Sequence, residues 1–569
     1  MVPLALLAGY VAQVLFRLSL VSKQDYPVVS PDEQMYLVIA RTLAGRPTTE
    51  IPGNEVIPGG YSLLISPALR ITQDPVFAYH LIMGINALIS CLVLPLAYVA
   101  LRRLDVPRLL SYLAATATVM LAPVVFYSQY AMSDTALPVL VLAWLIGVHG
   151  LLSDGTTRRR IWFGLLAGGS AGYCLLTHDR GGVIVALTAL VLLVTLVLGW
   201  APRIATAVGL AALAVMVLGK KVMTSWLLSH IDGAHPSQVG NAVFDSLSNP
   251  DLLDRTLMRM AGHIWYFVTS TWGLAAMVIV VCAFVVLRSR FSRADRTVAF
   301  LMVSLMCGIA LAAAAGLPDD GRIDTIVYAR YLSLLVPVYF VVGVAVLYRV
   351  RSWKQLLLVT GLAAGLVLAL TLVVQQMAEG QWKKSWFILW GLPDATFLSS
   401  LVTDRWNSFH LLQTTAVALV AFAVVVLIRL VGGRRVVLSV SAAVVALAGF
   451  AAFSTVEITD RVTKPNTSGR YDDATGFLKT SGIKPGDRVV LDNEVRWETR
   501  TTMAYEQLDG RVWVRKLIQD DVPPAEANVA VLALYNTVEP ATASWRNAPA
   551  GWYIDRDVRE DNYVIWRRG

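Results

Sequence analysis

Charge is scarce in this 569-residue chain: Asp, Glu, Lys and Arg make up 15% of it, against 56% hydrophobic residues and a mean hydropathy of +0.60. That balance excludes a soluble globular protein. Cysteine is also scarce. The four present, Cys91, Cys174, Cys282 and Cys307, all fall inside apolar stretches, which excludes a disulfide framework or a thiolate metal site and leaves packing as their role. The first apolar stretch lacks a basic lead-in and a small-residue cleavage site, so it reads as a retained helix rather than a signal peptide. Neither a dinucleotide-binding glycine fingerprint nor a P-loop occurs, so no nucleotide-sugar site is expected.

What the chain does have is apolar runs. A helix crossing the hydrocarbon core takes about 20 apolar residues, and on that basis thirteen candidate spans appear: 1–20, 77–101, 107–126, 133–152, 161–177, 181–199, 204–224, 264–287, 297–316, 331–349, 355–376, 409–430 and 436–455. With the N-terminus inside, six short linkers lie in the cytoplasm. They carry seventeen basic residues, among them Arg102, Arg103, Arg158, Arg159, Arg160, Arg349, Arg351, Arg434 and Arg435, against only Asp105, Asp154 and Asp295. The formal charge of +9 is therefore a topology signal rather than a nucleic-acid footprint. Nearly all the acids, the long loops 21–76, 225–263 and 377–408, and the C-terminal segment fall on the outer face.

The expected organisation is a transmembrane domain over 1–455 and an extracytoplasmic α/β domain over 456–569. In the first outer loop, apolar spacing predicts two interfacial helices, one from Tyr36 to Leu43 and one from Tyr61 to Ile71, the second bent or interrupted at Pro67. In the second, Asn249-Pro250 predicts a helix start with Asp251 in its first turn and an apolar face of Leu252, Leu253, Leu257 and Met260. In the C-terminal segment, 488–491, 512–514, 529–534, 552–554 and 563–566 read as strands and 471–480 and about 495–507 as helices. Turns are expected at Gly482, Pro485-Gly486 and Asp509-Gly510.

Four places could carry chemistry. Asp32-Glu33 directly follow the first span and open an interfacial helix, where a carboxylate can take a proton from a bound hydroxyl; the bland alternative is an exposed pair or a helix cap. Asp134, at an equivalent outer turn, either supports that site or caps the next helix. Arg180, beside Gly181-Gly182 in His178-Asp179-Arg180, suits a phosphate as well as a simple turn. His178 has no second His or Cys at ligand spacing and is not expected to hold metal. Arg330, between Tyr328 and Tyr331 at the mouth of a span, is either a snorkelling interfacial residue or a phosphate fork. Lys220-Lys221 repeat that signal more weakly.

This order resembles the GT-C superfamily of membrane glycosyltransferases, and within it the branch of the lipid A aminoarabinose transferase and the protein O-mannosyltransferases. The shared features are an acidic pair after the first helix, interfacial helices, an outer acid before span four, the Arg330-Tyr331-Leu332…Pro337 helix and an outer α/β domain. Where that branch carries a Tyr-Pro-Pro-Leu-Tyr-like segment, this chain has Ile57-Pro58-Gly59-Gly60-Tyr61-Ser62-Leu63. The resemblance implies inverting transfer of one sugar from a polyprenyl-phosphate donor to a glycan, lipid or protein acceptor on the outer face of the cytoplasmic membrane. It implies Asp32 as general base with Glu33 sharing the role or positioning the acceptor, Asp134 and Tyr61 as support, and Arg330, Arg180, Lys220, Lys221 and Tyr331 toward the donor phosphate. No cofactor is demanded, although a divalent cation near the acid pair is allowed. The competing classes are a flippase or transporter, which would need charges at mid-membrane depth or broken helices in matching halves, a polysaccharide ligase or polymerase, and a non-catalytic sensor.

Overall fold

A computed structural model describes residues 2–29, 31–50, 54–153, 155–231, 233–318, 322–328, 330–382, 391–464, 481–519, 521–536 and 538–569. Every one of the thirteen apolar segments is helical. Among the described residues eight helices are individually long and apolar enough to cross a membrane, and three more candidates are pairs of helices joined at a bend. The remaining two are Thr157–Thr177, whose first turn is basic, and the shorter Gly181–Val197.

Local chemistry sets where these helices begin and break. Asp74 caps the second span, its carboxylate accepting from the amides of Val76 and Phe77, with Pro75 at the first helical position. The segment 107–126 is broken by 54° between Arg108–Val119 and Ala122–Gln129, where Pro123 starts the second piece. The segment 264–287 is not one straight span either. Helix Pro250–Ser270 turns by 110° into Leu274–Leu287 through Trp272 and Gly273, both at positive φ. Thr325–Ser333 and Val336–Arg349 meet at 73° just before Pro337. Elsewhere small residues let backbones touch: a Cβ on Gly168 of Thr157–Thr177 would lie 1.9 Å from the Gly209 carbonyl of Arg203–His230.

The long loops are structured. Asp32–Leu43 is a helix with both acids in its first turn. Gly60–Ile71 runs uninterrupted through Pro67, contrary to the expected break. The Ser66 hydroxyl donates to the Leu63 carbonyl that Pro67 cannot serve, at 3.0 Å. Asn249 caps Pro250–Ser270 as its sequence predicts. The apolar face drawn for that helix is not the buried one: Leu253 and Leu257 are exposed, while Thr256, Arg259 and His263 pack inward. Strands β1 (Glu55–Val56) and β2 (His235–Pro236) pair in parallel and tie the first two long loops together.

Beyond the last span, helix Val436–Ile458 continues through a wider turn to Thr463. A five-stranded sheet follows, made of β3 (Val489–Asp492), β4 (Val512–Arg515), β5 (Val529–Ala533), β6 (Trp552–Val558) and β7 (Tyr563–Arg568), in the order β4-β3-β5-β7-β6. The fully buried β3 and β5 run parallel, and β7 and β6 complete the sheet antiparallel. The helix expected over 495–507 is Trp497–Glu506; the one expected over 471–480 lies outside the described residues.

This small domain docks on the first long loop. Arg41 donates to the carbonyls of Ala504 and Gly510, Arg46 pairs with Asp509 at 2.6 Å, and Arg515 pairs with Glu50. At the opposite end of the bundle the basic linkers meet, with Arg103 on His149, His149 near Asp295, and Arg349 near Asp105.

Candidate active site

The first turn of Asp32–Leu43, the short turn Ser133–Thr135, the turn His178–Arg180 and the bent helix bearing Arg330 converge at one end of the bundle. Arg330 stands at the centre. Its Nε donates to Asp134 Oδ2 at 2.8 Å and its Nη1 to Asp32 Oδ2. Arg180 donates to the other Asp134 oxygen at 2.8 Å and to the backbone carbonyls of Arg330 and Tyr331 at 3.2 and 3.3 Å. The result is a chain of alternating charge, Arg180–Asp134–Arg330–Asp32.

Burial separates the two carboxylates. The Asp134 side chain is 0% exposed and is held between two nearly buried guanidiniums, whereas the Asp32 side chain is 34% exposed. Asp134 therefore fixes the arginines, and Asp32 is the end of the chain that faces open space. His178 stays neutral, because burial and then Arg180 hold its imidazole well below the usual range. Its Nδ1 accepts from the Arg180 amide at 3.1 Å. The Arg180 guanidinium also lies over the Tyr331 ring, 5.1 Å from its centroid.

Glu33 is placed quite differently from its neighbour. It is 0% exposed, and four donors fill its oxygens: the Tyr79 hydroxyl at 2.6 Å and the amides of Ala131, Val28 and Val29 at 2.7–2.8 Å. Burial pushes its carboxyl upward in pKa while these bonds oppose the shift. A carboxylate so occupied has no free lone pair for an acceptor, so the expectation that Glu33 shares the base role does not fit its surroundings. Tyr79, the residue that sequence reasoning missed here, sits one turn inside the second span. It also stacks edge-on against Tyr505 of the C-terminal domain.

Tyr61 is fully buried and donates to Asn86, whose amide donates in turn to the Tyr130 carbonyl. Its ring meets Tyr36 edge-on, and Tyr36 donates to Ser133 beside Asp134. Tyr61 thus supports the site from behind. Gly60 is required next to it, since a Cβ there would come 2.6 Å from the Leu176 carbonyl. Lys220 pairs with Asp179 at 2.9 Å, one residue from Arg180, while Lys221 is exposed. Among the described residues no three His, Cys, Asp or Glu side chains gather as metal ligands, and the Arg330 guanidinium fills the space between Asp32 and Asp134. The donors present do not fit a divalent cation in this arrangement.

No protein-family model matches the chain, and no curated protein does. Solved structures do. The crystal structure of ArnT from Cupriavidus metallidurans bound to undecaprenyl phosphate matches with a TM-score of 0.54 at 15% identity, covering 98% of this chain and 97% of that one. The apo state of the same protein gives 0.52 at 15% identity with the same coverage. At 15% identity the likeness is one of fold, and it runs from the first span through the C-terminal sheet domain.

Proposed function

We propose that this multi-pass membrane protein is an inverting glycosyltransferase of the outer face of the cytoplasmic membrane, using a polyprenyl-phosphate-linked sugar as donor. The observation that carries this reading is the single guanidinium of Arg330 shared between a buried acid and an accessible one. Two arginines and two aspartates balance in charge, so an incoming phosphate has to take over hydrogen bonds that Arg330 now gives to Asp32. That exchange does two things at once. It gives the donor phosphate a planar fork, and it releases Asp32 to accept a proton.

The chemistry then needs little more. Asp32 takes the proton of an acceptor hydroxyl as its oxygen bonds to the sugar's anomeric carbon. The bond from that carbon to the phosphate oxygen breaks on the opposite face, and the electron pair leaves with polyprenyl phosphate. Arg330, held by Asp134 and backed by Arg180, stabilises the charge developing on that phosphate. Asp134, Arg180 and Tyr61 are positioning residues, and Glu33 anchors the helix that presents Asp32. Lys220 stands beside Arg180 as a secondary cation, whereas exposed Lys221 is left out of the site. The likeness of fold to a protein crystallised with undecaprenyl phosphate supports the donor class. The acceptor is a glycan, a lipid or a protein.

The product common to every version of this reaction is free polyprenyl phosphate. Purified protein is incubated with polyprenyl-phosphate mannose or polyprenyl-phosphate arabinose and an extract of envelope acceptors, and the lipids are followed by mass spectrometry. Acceptor-dependent release of polyprenyl phosphate from one of these donors is expected. Consumption of a pyrophosphate-linked glycan instead would overturn the reading in favour of a ligase or polymerase.

A further inference from the structure

The end of the bundle opposite Asp32 holds a cavity of about 450 Å³ that the proposed reaction does not use. Helix Val336–Arg349 begins just after the Arg330 turn and ends at this cavity, about 21 Å away for 14 residues. The cavity lies where Leu411–Val431 ends and where Trp353–Trp382 and Val436–Ile458 begin. Arg351, Arg429 and Arg434 line it with Trp353, and Leu356 is also in its wall. No acid is among its lining residues.

The three arginines are not equivalent. Arg429 is 4% exposed and donates to the carbonyls of Leu347, Val350 and Gly433 at 2.9, 3.0 and 3.4 Å. It locks the ends of two helices together and makes a fixed wall. Arg351 and Arg434 are exposed and, among the described residues, have no ion-pair partner. Basic residues at this end follow from topology. Their convergence on one roomy, acid-free cavity does not, and like charges gathered there repel unless an anion joins them. The surface beside the cavity is apolar and exposed, with Leu357 and Leu358 on one helix and Leu427 and Val431 on another. A ligand matching both features has an anionic head and hydrocarbon tails.

We propose that this cavity binds the phosphate headgroup of an anionic phospholipid from the leaflet facing the basic linkers, with acyl chains along the exposed leucines. Basic pockets between membrane helices on that side hold such headgroups. The site is separate from the donor site and its test does not depend on transfer activity.

The test compares wild type with the double variant Arg351→Ala, Arg434→Ala, which changes two exposed side chains and keeps the structural Arg429. Both are delipidated and titrated with phosphatidylglycerol or phosphatidylcholine under native mass spectrometry, with excess inorganic phosphate as competitor. Wild type is expected to bind phosphatidylglycerol about tenfold more tightly than the variant, to prefer it to phosphatidylcholine, and to keep it against phosphate. A double Arg→Lys variant is expected to retain most of that binding. Equal phosphatidylglycerol binding by wild type and the alanine variant would overturn the proposal, as would equal affinity for phosphatidylcholine. Displacement by inorganic phosphate would likewise reject the lipid and assign the cavity to a free anion.

Discussion

Arg330 and Asp134 lie 196 residues apart in the chain and are joined by a 2.8 Å hydrogen bond between side chains that are 5% and 0% exposed. Breaking a buried ion pair by deleting one partner leaves an uncompensated charge and typically costs about 3–5 kcal/mol. Asp134→Ala removes the buried acid that two arginines share. It is expected to lower the thermal unfolding temperature in detergent sharply, whereas Asp32→Asn, at the accessible end, is expected to leave it nearly unchanged. Equal shifts for the two variants would contradict the division of labour drawn between these acids.

Glu33 gives a sharper contrast with Asp32. Because all four of its hydrogen bonds come from donors, an amide in its place turns one NH₂ toward a backbone N–H or the Tyr79 hydroxyl. Glu33→Gln is therefore expected to destabilise the fold by about 1–3 kcal/mol, seen in thermal or denaturant unfolding. A Glu33→Gln protein of unchanged stability that has lost transfer would return Glu33 to the catalytic pair.

The helix Pro393–Thr403 carries Asp394, 7% exposed, whose carboxylate accepts from the Tyr266 hydroxyl at 3.1 Å with Tyr127 near by. Burial raises its pKa to about 7, with the Tyr266 hydrogen bond opposing. A carboxyl whose folded pKa is raised favours the fold while protonated. That contribution is complete below its unfolded value near 4 and is lost as pH rises through about 7. The unfolding temperature of the wild type is expected to fall between about pH 4 and 7, and Asp394→Asn is expected to remove that slope. A slope unchanged in the variant would assign it to another group.

The C-terminal domain is held by Arg41, a buried side chain bonded to two of that domain's carbonyls. Arg41→Ala leaves the carbonyls of Ala504 and Gly510 without this donor. Faster hydrogen exchange and earlier proteolytic release of the segment after residue 481 are the expected consequences. Unaltered exchange there would mean that Arg46–Asp509 and Glu50–Arg515 suffice.

Much of this fold was legible because it follows from local patterns. Apolar runs marked thirteen segments that are all helical, eight to eleven of them able to cross a membrane, and short apolar runs marked all five strands of the C-terminal sheet. The breaks were harder to read. Pro67 does not interrupt its helix because Ser66 serves the orphaned carbonyl, while Trp272 and Gly273 bend a run that hydropathy alone draws straight. At the site, sequence position singled out Asp32, Asp134, Arg180 and Arg330 individually. It did not reveal that Asp134 is the acid between both arginines, because those contacts span 46 and 196 residues. Nor did adjacency distinguish Asp32 from Glu33. On a helix, consecutive residues point some 100° apart, and here one turns outward and the other into the Tyr79 hydroxyl.

The central claim is that Asp32 and a donor phosphate compete for Arg330, and native mass spectrometry of Asp32→Asn purified from its own membranes tests it most directly. Removing the competing charge and the base together is expected to trap a polyprenyl phosphate bearing one sugar, retained more strongly than by wild type and lost from Arg330→Ala. The mass of that species names the sugar class. A pyrophosphate-linked glycan, or no isoprenoid on any of the three proteins, would contradict the account.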